Sequence, residues 1–238
     1  MILRGIFHHM KKKSDTSSNT DAGPKEEGIL LVDKPKGITS FDVIRLLRKK
    51  LGERKLGHAG TLDPLASGLL IIGVGSGTKK LTEYIKLPKT YEAQILLGRR
   101  TDTGDLEGKV VEEVNLLDRD IDKKEAENVL GGLIGVIKLP VPAYSAVKRG
   151  GKALYKYARS GEKVEIPIKD MKIESIALDG IRKSGKDITL DVVMDVGSGT
   201  YIRSVAEEIG RRLGVPATVS ELRRTRIGEF YIKDAEKV

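Results

Sequence analysis

Apolar residues come in short blocks along this chain, separated by polar and glycine-rich stretches. GILLVD (28–33) reads as a buried strand. Phe41, Ile44, Leu47 and Leu51 recur at helical spacing and predict the core face of a helix. Thr39 or Ser40 stands where its N-cap belongs and Gly52 where it should end, while Arg45, Arg48 and Lys49 project from other faces. Gly68 to Val74 is an apolar strand, and Thr78 to Leu87 predicts a short helix. Lys89 to Leu97 alternates as a strand does, with Tyr91 near its start, and Gly98 to Gly108 reads as a polar loop. Asp122 and Glu125 have the spacing of a capping box for a helix ending at Gly131. PVPAYS (140–145) is excluded from regular structure and leads into a short helix over 151–159. Strands are expected at 163–178 and 187–196, a helix from Thr200 to about Gly214, and the last strands between Ala217 and Ile232. Strands and helices mix without βαβ repetition, so the expected class is α+β with a mixed, largely antiparallel sheet. Residues 1–27 are polar and have almost nothing to bury, which predicts a disordered tail; His8 and His9 lie in it and receive no role.

Composition narrows the function. A chain of 238 residues suffices for one large domain or two small ones. No apolar run approaches the ~18 residues of a membrane span. The first residues, MILRGIFHH, are too short for a secretory signal. The absence of cysteine removes disulfides, thiolate zinc sites and thiol nucleophiles, and a cytoplasmic location is the default expectation. Lysine and arginine number 43 against 34 acidic residues, a net charge of +9. Such an excess suits a polyanionic partner, although an unspecialised basic surface would give the same number. The charge clusters: Arg45, Arg48, Lys49, Lys50, Arg54 and Lys55 form one group, and Arg211, Arg212, Arg223, Arg224 and Arg226 another.

The densest chemistry lies in KLGHAGTLDPLASGLLIIGVGSGTKK (55–80), which holds the only histidine outside the tail, His58. Asp63 precedes Pro64, whose ring fixes its own φ and pushes its neighbour into extended or turn geometry. The carboxylate therefore sits on a stiff bend leading into a strand, although Asp-Pro is also an ordinary turn. GVGSGTKK (73–80) fails the phosphate-loop spacing because Thr78 stands where glycine is required. One usable histidine and no cysteine exclude a histidine-rich metal site, and no G-x-S-x-G elbow supports a serine triad. Carboxylate chemistry without metal or cofactor remains.

GHAGTLDPLASGLL resembles the central motif of the TruB family of tRNA pseudouridine synthases. The resemblance continues through VDKPKGITS (32–40), KTYEAQILLGRRTDTGD (89–105), PVPAYSAVKRGGKALYKYAR (140–159), GSGTYIRSVAEEIG (197–210) and ELRRTRIGEF (221–230). It implies a single pseudouridine synthase fold over 28–238, with a central RNA-binding cleft and an RNA-clasping insertion at about 138–162. It also implies Asp63 as the catalytic residue, Arg203 as its cation, and Tyr91 as the ring that stacks on the uracil and helps remove the C5 proton. His58 matches the histidine that fills the gap left by a flipped nucleotide, and Tyr201 and Leu222 match positions lining the base pocket. Asp102 bonds RNA or orders its own loop, and Arg45 and Lys49 are candidate RNA contacts. The implied reaction is uridine to pseudouridine at position 55 in the T-loop of tRNA, by a monomer that uses no cofactor, no metal and no membrane. Many family members continue into a small C-terminal RNA-binding domain, for which the residues up to Val238 leave no room, so the expectation is a catalytic domain without it. A non-enzymatic RNA-binding protein and a guide-RNA-dependent relative are the rival readings; Asp63, Tyr91 and Arg203 together favour the enzyme.

Overall fold

The computed structural model describes residues 28–238; the tail expected over 1–27 lies outside the described residues. The chain begins with β1 (Gly28–Lys34), α1 (Ser40–Leu51), β2 (Leu56–Ala59) and β3 (Ser67–Val74). A 3-10 segment, Gly75–Lys80, leads into α2 (Leu81–Lys86), followed by β4 (Lys89–Leu97), β5 (Arg99–Thr101) and β6 (Val110–Glu113). Next come α3 (Lys123–Gly131), β7 (Gly135–Pro140), β8 (Lys148–Arg149), β9 (Lys152–Ala153) and α4 (Leu154–Ser160). The remainder is β10 (Ile168–Ser184), β11 (Asp187–Val196), α5 (Ile202–Leu213), β12 (Ala217–Ile227), β13 (Phe230–Tyr231) and β14 (Glu236–Lys237). The ladders β1–β3, β2–β3, β4–β11, β11–β10 and β10–β7 are antiparallel, and β1–β14 is parallel. With five α-helices among the described residues, the class is the α+β mixture that the pattern predicts.

Several expectations need correction. Phe41 is not on the core face of α1; it is 54% exposed, and Val43, Ile44 and Leu47 make that face. The guanidinium groups of Arg45 and Arg48 lie 5.8 and 5.7 Å from the Phe41 ring centre, which lets the ring stay at the surface under charged cover. The expected polar loop 98–108 contains β5, which pairs with β6 through Arg99–Glu113 and Arg100–Glu112 ion pairs. The short helix expected at 151–159 starts at Leu154, because the β8–β9 hairpin occupies the residues before it. β10 begins at Ile168, after Pro167, and runs on to Ser184 rather than stopping at 178. Tyr201, not Thr200, is the N-cap of α5; the Thr200 hydroxyl is drawn away, donating to the Lys172 carbonyl at 3.2 Å. Only half of the Asp122–Glu125 box forms: Asp122 accepts from the Glu125 amide at 2.7 Å, while the Glu125 carboxylate pairs with Arg119.

The chain divides into two units, one made of the residues up to Leu87 together with Arg224–Val238, the other of Pro88–Arg223. In the first unit β3 lies between β1 and β2 and is buried along all but its first residue. Its even positions, Leu70, Ile72 and Val74, pack with Val43, Ile44 and Leu47 of α1. Its odd positions, Leu69 and Ile71, pack with Ala59, Ile227 and residues of α2 such as Leu81 and Tyr84. Helices cover both faces, which is why the strand reads as a continuous apolar run rather than an alternating one. Each such leucine or isoleucine contributes about 2–5 kcal/mol relative to alanine.

In the second unit the strands run β4-β11-β10-β7. β4 and β11 stay in register from Lys89↔Val196 to Ile188↔Leu97, with Tyr91 opposite Met194. α5 buries Ile202, Val205, Ala206, Ile209 and Leu213, a stripe at helical spacing that ends at Gly214, which takes φ 73° to close the helix.

Candidate active site

Asp63 stands on the loop between β2 and β3, in the first unit. The loop is held from two directions. From one side comes the turn before α1. Lys34, fully buried, donates to the Pro35 and Ile38 carbonyls at 2.9 and 2.6 Å and so fixes that turn. Thr39 and Asp42 then close a capping box that sets the first turn of the helix. The Asp42 carboxyl is pushed down to about 2, first by the Thr39 hydroxyl and then by Arg45. With the helix start fixed, Ser40 reaches the loop: its hydroxyl donates to the Leu62 carbonyl at 3.0 Å and accepts from the Leu62 amide at 2.9 Å. The Gly37 amide donates to the Pro64 carbonyl at 2.8 Å. Both chain neighbours of Asp63 are thereby clamped, and a turn bond from the Ala66 amide to the Asp63 carbonyl, 3.1 Å, closes the bend. The Asp63 side chain is half-buried.

From the other side comes Arg224, 1% exposed, on the part of β12 that belongs to the first unit. Its Nε donates to the Leu69 carbonyl at 2.8 Å and its Nη2 to the Gly60 carbonyl at 3.0 Å. His58 lies on β2, two residues before Gly60. Its Nδ1 is buried without a hydrogen-bond partner. Burial, and then the Arg224 charge, hold its pKa below the ordinary imidazole value. The ring is therefore neutral near pH 7, a flat surface suited to stacking rather than to binding a phosphate.

Arg45 and Lys49, the candidate RNA contacts of α1, are exposed; Arg45 is also paired with Asp42.

The second unit holds Tyr91, Asp102, Tyr201, Arg203 and Leu222. Arg203, one residue into α5, is 6% exposed, so it is no surface arginine. Its Nη1 donates to the Thr103 carbonyl at 2.6 Å and its Nη2 to the Tyr144 carbonyl at 3.1 Å; the Asp105 carboxylate lies 3.9 Å away. The loop 102–109 that receives it is ordered from within. Asp102 accepts from the Lys109 amide at 2.8 Å, and Asp105 accepts from the Thr103 hydroxyl at 2.7 Å. Of the two roles open to Asp102, ordering the loop is therefore built into the fold. One turn along α5, burial pushes the Glu207 carboxyl up, against the pull of Arg100 and Arg203. Tyr91 and Leu222 are buried, and Tyr201 is half-buried with its amide 3.5 Å from the Met171 sulfur.

The sequence motifs single out Asp63 and Arg203 as candidates but not the groups that hold them. Ser40 is visible only as a possible cap, and Arg224 only as one of a basic group. The one available signal for Arg224 is its place two residues beyond Leu222, on the same face of the strand, where a charged residue needs a buried partner. Among the described residues no cluster of three or more His, Cys, Asp or Glu could hold a metal ion, and no helix is long and apolar enough to cross a membrane.

A family model described as TruB family pseudouridylate synthase (N terminal domain) matches residues 48–202, and one described as tRNA pseudouridylate synthase B C-terminal domain matches 203–238. The junction between them falls inside α5, one residue after its start. The C-terminal match covers most of α5 and β12 to β14, elements that the sequence reading counts within the catalytic fold. The chain is 41% identical over 208 residues to the tRNA pseudouridine synthase B of Mycolicibacterium paratuberculosis, covering 87% of this chain and 70% of that one. It is 44% identical over 210 residues to the tRNA pseudouridine synthase B of Bacillus cereus, covering 87% and 68%. Among solved structures it is similar to the crystal structure of a Cbf5-Nop10-Gar1 complex, with TM-score 0.65 and 28% identity. That match covers 89% of this chain and 52% of the other, so this chain spans about half the length of that one. With one family model over more than half of its residues and relatives this similar, the chain belongs to the TruB family of pseudouridylate synthases.

Proposed function

We propose that this protein isomerises uridine to pseudouridine at position 55 in the T-loop of tRNA, with Asp63 acting at the ribose. The observation that carries the reading is the presentation of Asp63. Its carboxylate rides on a short loop whose neighbours, Leu62 and Pro64, are both fastened to the turn before α1. An ordinary Asp-Pro turn needs no such fixing, whereas a carboxylate that must meet one sugar carbon does.

The reaction breaks the N1–C1′ bond, turns the uracil and joins C5 to C1′. A proton leaves C5 and N1 gains one, so reactant and product have the same atoms and no donor or oxidant is consumed. Asp63 either adds to C1′ or takes a proton from C2′ to give a glycal; both routes need it ionised. The family resemblance assigns Arg203 as its counter-charge, a role suited to a guanidinium because it remains charged even when buried. Tyr91 stacks on the uracil and aids loss of the C5 proton. The neutral ring of His58 fills the space left by the extruded nucleotide, offsetting part of the few kcal/mol that extrusion costs. Tyr201 and Leu222 line the base pocket, and Arg45 and Lys49 meet phosphates. Relatives at 41% and 44% identity that carry the name tRNA pseudouridine synthase B support a tRNA substrate over a guide-directed one. We assign the protein to the cytoplasm, acting as a monomer on the T-arm.

The test is incubation of the purified protein with unmodified tRNA in the presence of a chelator, followed by mapping of pseudouridine. A single modified position, 55, is expected. An unmodified tRNA, or modification elsewhere only, overturns the proposal.

A further inference from the structure

We propose that Arg224 is a positioning residue, whose guanidinium straps the Asp63 loop at both ends and so sets where the carboxylate points. The inference rests on the reading of Asp63 given above. Three observations lead to it. Arg224 is among the most deeply buried side chains of the protein. Its guanidinium donates to carbonyls on either side of one loop, Gly60 at its start before Asp63 and Leu69 just past its end, in β3. The loop ends are also shaped to the strap. A Cβ at Gly68 would lie 2.3 Å from the Arg224 carbonyl oxygen, and one at Gly60 would lie 3.5 Å from Arg224 Nη1. Glycine at 68 lets its backbone come close to that of Arg224, and both glycines adopt positive φ, 106° at Gly68 and 84° at Gly60, where a side chain would be strained.

The fork of the guanidinium is what makes this possible. Separate N–H groups on one rigid plane reach two carbonyls at once, whereas a lysine presents one compact ammonium on a flexible stem. The same charge acts on His58, whose pKa falls partly on its account. Arg224 thus serves the loop by geometry and His58 by charge, and the two roles separate by substitution. Arg224→Lys keeps the charge and loses the fork; Arg224→Gln loses both.

The experiment measures both variants beside the wild type. For each, kcat and KM are taken on unmodified tRNA, and amide exchange is followed by peptide across 60–69 and across α5. His58 is followed by proton NMR as pH is varied. For Arg224→Lys the expected result is a fall in kcat of about 100-fold, the scale of an ångström-sized misplacement. KM should stay within about threefold, since only the loop has moved. Exchange should quicken across 60–69 and stay unchanged in α5. His58 should titrate near its wild-type pKa in Arg224→Lys and higher in Arg224→Gln. Wild-type kcat with unaltered exchange at 60–69 overturns the proposal. So does a rise in KM alone, which would make Arg224 an RNA contact. Loss of the whole fold in Arg224→Lys, read by circular dichroism, also overturns it, because the residue would then serve the unit rather than the loop. If the wild type makes no pseudouridine, the functional reading fails, while the exchange and NMR measurements still decide whether Arg224 straps the loop.

Discussion

At the scale of single residues, chemistry and support separate cleanly. Asp63 is the group expected to react, while Ser40, Gly37 and Arg224 fix where it stands. Asp63→Asn keeps the size of the side chain and the backbone bonds around it and removes the charge. Its kcat is expected to fall by about four orders of magnitude, with tRNA affinity within about threefold; single-turnover assays beside a binding titration measure both. A second prediction concerns His58. Its folded pKa lies below its ordinary value of about 6.5, so below that pH the unfolded chain binds a proton that the folded one resists. The contribution to stability is present above about pH 6.5 and is lost as pH falls through the folded pKa. The urea midpoint should therefore drop between pH 7.5 and pH 5.5, and His58→Gln should lessen that drop.

At the scale of elements, the start of α1 joins folding to function. Thr39 caps the helix, and the next residue, Ser40, grips Leu62. Thr39→Ala removes the hydroxyl that accepts from the Asp42 amide, leaves the Thr39 amide bonded to the Asp42 carboxylate, and is expected to cost about 1 kcal/mol, read as a lower urea midpoint. A modest fall in kcat should accompany it, because the Ser40 clamp loses its fixed base. This element also shows what the sequence makes legible. Thr39, Gly52, Ile44 and Leu47 announce a helix because cap chemistry and apolar spacing are local. Phe41 misleads because spacing alone does not say that two arginines will cover it. β4 and β11 are legible to the residue because alternation reports a sheet covered on one face. The β5 and β8 hairpins are not, since two- and three-residue strands carry no period. The candidate site divides in the same way. Asp63, Tyr91 and Arg203 stand in recognisable motifs, whereas the strap from Arg224 spans 164 residues and leaves no local trace.

At the scale of the molecule, the net charge of +9 predicts how RNA is held. Phosphate contacts release counterions, so the logarithm of tRNA affinity should fall linearly with the logarithm of salt concentration, amounting to roughly tenfold or more between 50 and 200 mM. The rate of the bound complex should barely change, since Asp63, Tyr91 and Arg203, the groups proposed to act, are carried on half-buried or buried positions. Binding by filter retention and single-turnover rates across that range separate the two effects; a rate that fell as steeply as affinity would contradict this division.

The first unit is assembled from two stretches that lie far apart in translation order, with the whole second unit encoded between them. Gly60 and Asp63 leave the ribosome early, and Arg224 follows 164 residues after Gly60. Until that late arginine emerges, a nascent polypeptide has the Gly37 and Ser40 clamps on the Asp63 loop but not the Arg224 bonds that complete them. Chains halted midway through synthesis should accordingly be inert towards tRNA, however well their earlier strands and helices have formed.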